Sequence, residues 1–153
     1  MTDSVDIPII AAHRPVYAQP GDAGADLVAA ESVTLGPGAR ALVATGVRIA
    51  LPDGYAAFIV PRSGLAAKHG ISIVNSPGTI DAGYRGEIKV ALLNTDLSAT
   101  YQVTQGDRIA QMIVMPVTRA NFIPVDELPD SARGDSGFGS TGYVADAAEQ
   151  EVK

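Results

Sequence analysis

Five short glycine-containing segments each set one or two chemically capable side chains among small residues: Asp22 to Leu27, Pro61 to Ala66, Asn75 to Glu87, Gly106 to Gln111 and Arg133 to Gly142. Glycine lets backbone approach a ligand, and exposed N–H groups beside arginine and serine make an anion cradle, so the pattern suits phosphate. Within Gly78-Thr79-Ile80-Asp81-Ala82-Gly83-Tyr84-Arg85-Gly86-Glu87, a carboxylate and an aromatic stand three apart. On these residues alone other readings stay open. Arg62-Ser63-Gly64 also fits a plain turn, Asp81 a turn-forming acid and Tyr84 a packing residue.

Composition removes several other chemistries. The chain has no cysteine and two histidines, His13 and His69. Disulfides, thiolate zinc sites and cysteine nucleophiles are therefore excluded, and any metal must be held by oxygen. Gly134-Asp135-Ser136-Gly137 copies the tetrapeptide around a chymotrypsin-type serine, but two six-stranded barrels do not fit in 153 residues. Arg133-Gly134-Asp135 is also an integrin-binding tripeptide, one short enough to arise by chance, and a P-loop is absent. The net charge of −6 is concentrated at the end: from Asp126 onward seven acids face two bases, leaving the body nearly neutral. No basic stripe with interleaved aromatics occurs, so nucleic acid is not an expected partner. No apolar run approaches the roughly 18 residues of a membrane span, and the acidic start lacks the basic region of a signal peptide, which leads to a cytoplasmic reading.

The elements that must position these groups are strands. The length fits one domain, and 16 glycines with 10 prolines cut it into short segments without sustained helical periodicity. Ala41 to Val43, Val47 to Leu51, Tyr55 to Val60, Ile71 to Val74, Glu87 to Leu93, Tyr101 to Val103 and Arg108 to Val117 read as strands. Glu87 to Val90 alternates like a half-buried strand, whereas Tyr55 to Val60 is apolar at nearly every position, as if covered on both faces. Two packed sheets follow. Pro52-Asp53-Gly54 and Gly36-Pro37-Gly38 are turns, Leu65 to Lys68 is one helical turn, and Asp81 falls in a hairpin between Ile71–Val74 and Glu87–Leu93. The composition of Ser131 to Gly142 is that of a linker.

The five segments resemble, in order, the five motifs of the trimeric dUTPase family, and the resemblance spans Asp22 to Gly142. It implies an all-β, jelly-roll-like subunit over residues 1–130, with a C-terminal arm, 131–153, closing an active site. It also implies a homotrimer with sites at subunit interfaces. The expected reaction is Mg²⁺-dependent hydrolysis of dUTP to dUMP and pyrophosphate, which limits uracil incorporation into DNA and supplies dUMP for thymidylate synthesis.

By the same resemblance Asp81 is the catalytic base, a carboxylate ionised at neutral pH that orders and deprotonates the attacking water. Asp26 holds a water of Mg²⁺ from the outer shell. Arg62, Ser63, Gly64 and Gln111 bind phosphates, while Asn75, Thr79, Ile80 and Lys89 frame uracil and deoxyribose. Tyr84 stacks under the sugar and excludes a ribose hydroxyl. On the arm, Arg133 meets the γ-phosphate and Phe138, beside Gly139, stacks on uracil. Arg108 is left out as structural, and His69 is also read as structural. Ser136 departs from the family, which often has glycine there, and bears on arm closure. Two rival readings share the fold, a non-catalytic nucleotide-sensing or protein-binding module and the related dCTP deaminase; the presence of Asp81, Arg133 and Phe138 speaks against the first, and the Asp81/Tyr84 spacing against the second.

Overall fold

The computed structural model describes residues 4–132, 134 and 135. Ten strands and one helix follow in the order β1 (Ile9–Ile10), β2 (Ala25–Val28), β3 (Val33–Leu35), β4 (Arg40–Ile49), β5 (Tyr55–Val60), α1 (Ser63–His69), β6 (Ile71–Ile73), β7 (Gly78–Ile80), β8 (Ile88–Asn94), β9 (Tyr101–Val103) and β10 (Arg108–Pro116). They form two four-stranded sheets, β1-β4-β8-β6 and β2-β10-β5-β7, and the pair β3-β9. Every ladder is antiparallel. The expected all-β, jelly-roll-like architecture is present.

Alternation sets the faces. In β4 and β8, Val43, Val47, Ile49, Ile88, Val90 and Leu92 point inward, while Leu42, Arg48 and Lys89 face out. These residues share one core with Leu27 of β2, Ile59 of β5 and Ile109 of β10. Each such aliphatic side chain contributes about 1.5–3 kcal/mol on burial. In β5 the consecutive Ala56 and Ala57 are both buried, so the strand is covered on its two faces as its sequence suggests.

Two expectations need correcting. Ala41–Val43 and Val47–Leu51 are not separate strands; the first and most of the second belong to the continuous β4, which ends at Ile49 and whose register shifts between Ala44 and Val47. Gly46, at φ +69°, adopts the left-handed conformation that this bulge requires. The Thr45 hydroxyl donates to the Ile88 carbonyl, and the Gly46 N–H donates to a Glu87 carboxylate oxygen at 2.8 Å. The second correction concerns the hairpin. β6 and β8 do pair antiparallel, but the chain between them is an excursion into the other sheet, where β7 pairs with β5.

The single helical turn expected at Leu65–Lys68 extends to Ser63–His69 and stops at Gly70, φ +63°, whose N–H returns to the Ala66 carbonyl. A Cβ on Gly70 would lie 2.9 Å from the Thr95 hydroxyl. His69 packs its ring on Tyr101, 5.1 Å between centroids. Two compact units divide after Arg119; in the second, residues 120–132 are exposed and contain neither strand nor helix.

Candidate active site

One group of polar side chains gathers on Asp26, the second residue of β2. Its carboxylate is buried, 6% exposed, and each oxygen faces a guanidinium: Arg62 Nε donates to Oδ1 and Arg108 Nη1 to Oδ2, both at 3.2 Å. Gln111 Nε2 adds a third hydrogen bond to Oδ1 at 3.2 Å. Arg62 is held a second time, through Nη1, by the Arg108 carbonyl at 3.1 Å.

The β2–β10 register explains how three side chains reach one carboxylate. Arg108 stands opposite Val28 and Gln111 opposite Asp26, so three residue steps on β10 match two on β2. Residues three apart on a regular strand point to opposite faces; the extra residue of a bulge returns them to the same face. Ile109 and Ala110 consequently both enter the core, while Arg108 and Gln111 both turn to Asp26. Gly24 leaves room for Gln111, since a Cβ there would lie 3.1 Å from the glutamine Cβ. Arg62 itself precedes α1, whose first residues, Ser63 and Gly64, are exposed and have no acid in the first turn.

A second group lies in the excursion between β6 and β8. Thr79, Ile80, Asp81, Tyr84 and Lys89 line a cleft of about 620 Å³ with Leu42, Arg48, Glu87 and Ile88. Asp81 is exposed, and among the described residues neither carboxylate oxygen has a hydrogen-bond partner. Its carbonyl accepts the Tyr84 N–H at 3.0 Å, which closes a tight turn. The Tyr84 hydroxyl donates to the Glu87 carbonyl at 2.9 Å. The ring lies over Gly86, where any Cβ would overlap it. Glu87 is fixed in turn by the β4 bulge, through Gly46. Beside the cleft, Asn75, Gly78, Thr79, Ile80 and Lys89 border a narrow cavity of about 60 Å³ floored by Ile59, Ile73 and Val90.

The expected residues therefore form two constellations: Arg62 and Gln111 around Asp26, with Ser63 and Gly64 following Arg62, and Asn75, Thr79, Ile80, Asp81, Tyr84 and Lys89 around the excursion. The clefts at Asp81 and Asn75 are lined from the second group, and a further cleft takes Asp26 and Arg108 from the first. Arg133, Phe138 and Gly139 lie outside the described residues. Sequence reasoning left out Arg108, although its pairing with Asp26 was foreshadowed by a basic residue and an amide flanking an apolar dipeptide in a strand. It also missed the brace from Gly46 through Glu87 to Tyr84. Near Arg62, burial pushes the Tyr101 phenol above its ordinary pKa, Asp107 adds to the rise and Arg62 opposes it.

The donor set bears on a metal. Among the described residues no group of three or more histidine, aspartate or glutamate side chains is placed to hold an ion. The Asp26 carboxylate uses three of about four acceptor positions, leaving one lone pair on Oδ2. These residues fit Mg²⁺ coordinated chiefly by substrate phosphates and water, with Asp26 accepting from a water, and do not fit an ion caged by protein alone.

The dUTPase family model matches residues 11–142. The deoxyuridine 5'-triphosphate nucleotidohydrolase of Leifsonia xyli is 72% identical over 152 residues, covering 99% of this chain and 100% of that protein. The structure of the Staphylococcus bacteriophage 80alpha dUTPase with dUpNHpp superimposes with a TM-score of 0.85 at 27% identity, over 92% of this chain and 100% of that one. A mutant dUTPase from phage phi11 of S. aureus, whose structure describes coordination of a structural Mg(II) ion, gives a TM-score of 0.75 at 26% identity, over 80% and 98% of the two chains. Motif order, strand topology and identity along nearly the whole length agree: the chain belongs to the dUTPase family.

Proposed function

We propose that this protein hydrolyses dUTP to dUMP and pyrophosphate, with Asp81 as the base that orders and deprotonates the water attacking the α-phosphorus. The observation that carries the reading is the exposed Asp81 carboxylate, without a hydrogen-bond partner among the described residues, in a cleft with Lys89 and Tyr84. A free lone pair and access to solvent are what a general base needs. Asn75, Thr79, Ile80 and Lys89 frame the base and sugar, and the narrow cavity beside them favours a small planar group. Thymine's methyl would crowd it, and cytosine would leave buried partners unpaired. Tyr84, held over Gly86, takes the space of a ribose 2′-hydroxyl.

Arg62, Ser63, Gly64 and Gln111 are assigned to the triphosphate. Mg²⁺, when bound, would neutralise phosphate charge, with Asp26 accepting a hydrogen bond from one of its waters. That Arg62 and Asp81 belong to different side-chain groups on one chain supports a homotrimer whose sites are completed between subunits. Phe122, Ile123, Val125 and Leu128, all exposed, supply apolar surface for such an assembly. Arg133, Phe138 and Gly139 are assigned to an arm that closes over bound nucleotide and excludes water. No helix among the described residues is long and apolar enough to cross a membrane.

The test is pyrophosphate release from dUTP, dTTP, dCTP and UTP with Mg²⁺. Rapid turnover of dUTP alone is expected, and equal turnover of UTP would remove the assignment of Tyr84.

A further inference from the structure

We infer that Arg108 is a positioning residue for the phosphate half of the site, acting through Asp26 to fix the Arg62 guanidinium. The inference rests on the assignment of Arg62 to phosphate made above. Arg62 spends Nε on Asp26 and one Nη1 hydrogen on the Arg108 carbonyl. Of its five N–H donors, three stay available in a fixed plane, the fork geometry that recognises phosphate oxygens.

That plane is only as fixed as the carboxylate that holds it. Arg62 and Gln111 both bond Oδ1, which leaves the other oxygen free to swing about the terminal torsion of Asp26, whereas Arg108 pins Oδ2 and restricts that swing. Charge makes a second contribution. Two guanidiniums share one carboxylate, so the group carries a net +1; without Arg108 the charge of Arg62 would be cancelled by the buried Asp26. The bulge at Ile109 is what makes this possible, because a regular strand would send Arg108 to the face opposite Gln111. The Arg108 side chain is 55% exposed, against 26% for Arg62, so it can be replaced without opening the core.

The test uses the full-length protein and two ligands: dUpNHpp with Mg²⁺, titrated by calorimetry, and deoxyuridine, which has no phosphate, titrated by NMR. In R108A, affinity for dUpNHpp should fall about tenfold while that for deoxyuridine stays unchanged. In the R62A background, R108A should cost nothing further, because its effect passes through Arg62. R108K, which keeps the charge and loses the fork, should fall between R108A and the native protein, and it serves the same comparison if R108A fails to fold. An additive loss in the double variant, or an equal loss for both ligands, would overturn the positioning role. An R62A variant that binds dUpNHpp normally would overturn the phosphate assignment itself, and is distinguishable from a silent R108A beside an impaired R62A.

Discussion

Asp26 is buried and accepts hydrogen bonds from two guanidiniums and an amide, whereas Asp81 is exposed and its oxygens have no partner among the described residues. Both sit beside strands of the same sheet, Asp26 within β2 and Asp81 one residue past β7. The difference lies in what the flanking backbone presents. The bulge in β10 aims three donors at Asp26, while the turn after β7 leaves Asp81 only its own carbonyl to share with Tyr84. A carboxylate whose lone pairs are committed works as a counterion that organises cations. One whose lone pairs are free can take a proton.

Asp81→Asn is the sharpest way to break this contrast. It keeps size and removes basicity, so turnover should drop about 10³-fold with dUpNHpp affinity and melting temperature nearly unchanged. Pyrophosphate release beside calorimetry measures both; a matching loss of affinity would make Asp81 a binding residue. Asp26→Asn should behave in the opposite manner. It leaves Arg62 and Arg108 without their shared counterion, and the denaturant midpoint should fall by the equivalent of about 2 kcal/mol. An Asp26→Asn protein as stable as the native one would show that the pairing carries no structural weight.

A smaller effect sharpens the description of the exposed side. The Asp81 cleft is ordered by what surrounds it: Tyr84 lies over Gly86 and is tied to Glu87, which the β4 bulge holds. Gly86→Ala should push the tyrosine ring aside and reduce discrimination between dUTP and UTP about tenfold. The ratio of kcat/KM values for the two nucleotides is the measurement, and an unchanged ratio would separate Tyr84 from sugar selection.

Much of the strand pattern was legible, because apolar alternation and turn residues are local signals. Tyr55–Val60 and Arg108–Val117 are close to β5 and β10 for this reason. The motif residues were legible as motifs. What sequence did not reveal is the work of register. Thr45-Gly46 reads as an interruption of a strand, yet is a bulge closed by Ile88 and Glu87, 41 to 43 residues away. Arg108 reads as a strand residue of unassigned face, and only the shifted pairing with β2 turns it to Asp26. Asn94, fully buried and one residue past the expected Glu87–Leu93 strand, donates through its amide to the Leu35, Gly36 and Ala99 carbonyls and ties β8 to the end of β3 and the loop before β9. These partners are distant or lie across a turn, and residue type alone does not specify them.

A third carboxylate separates exposure from hydrogen bonding, the two variables that Asp26 and Asp81 confound. Asp96, in the turn after β8, is solvent-accessible, yet it accepts from the Ala99 N–H at 2.8 Å, the Ser98 N–H at 2.8 Å and the Ser98 hydroxyl at 3.1 Å. These donors, Ala99 first, hold its pKa below the ordinary value of 3.8. The folded chain therefore releases this proton more readily than the unfolded one, and between the two pKa values the unfolded state binds more protons. The resulting stabilisation is complete above the ordinary carboxylate value and is lost as pH falls through the lower folded one. Asp96→Asn should remove that dependence, so melting temperatures of the two proteins, followed from neutral pH downward, should approach one another only below about pH 4. The gap above that pH should be small, since the group is screened by water. If the curves instead stay parallel into acid, three well-formed hydrogen bonds do nothing for an exposed carboxylate, and burial rather than bonding is what distinguishes Asp26 from Asp81.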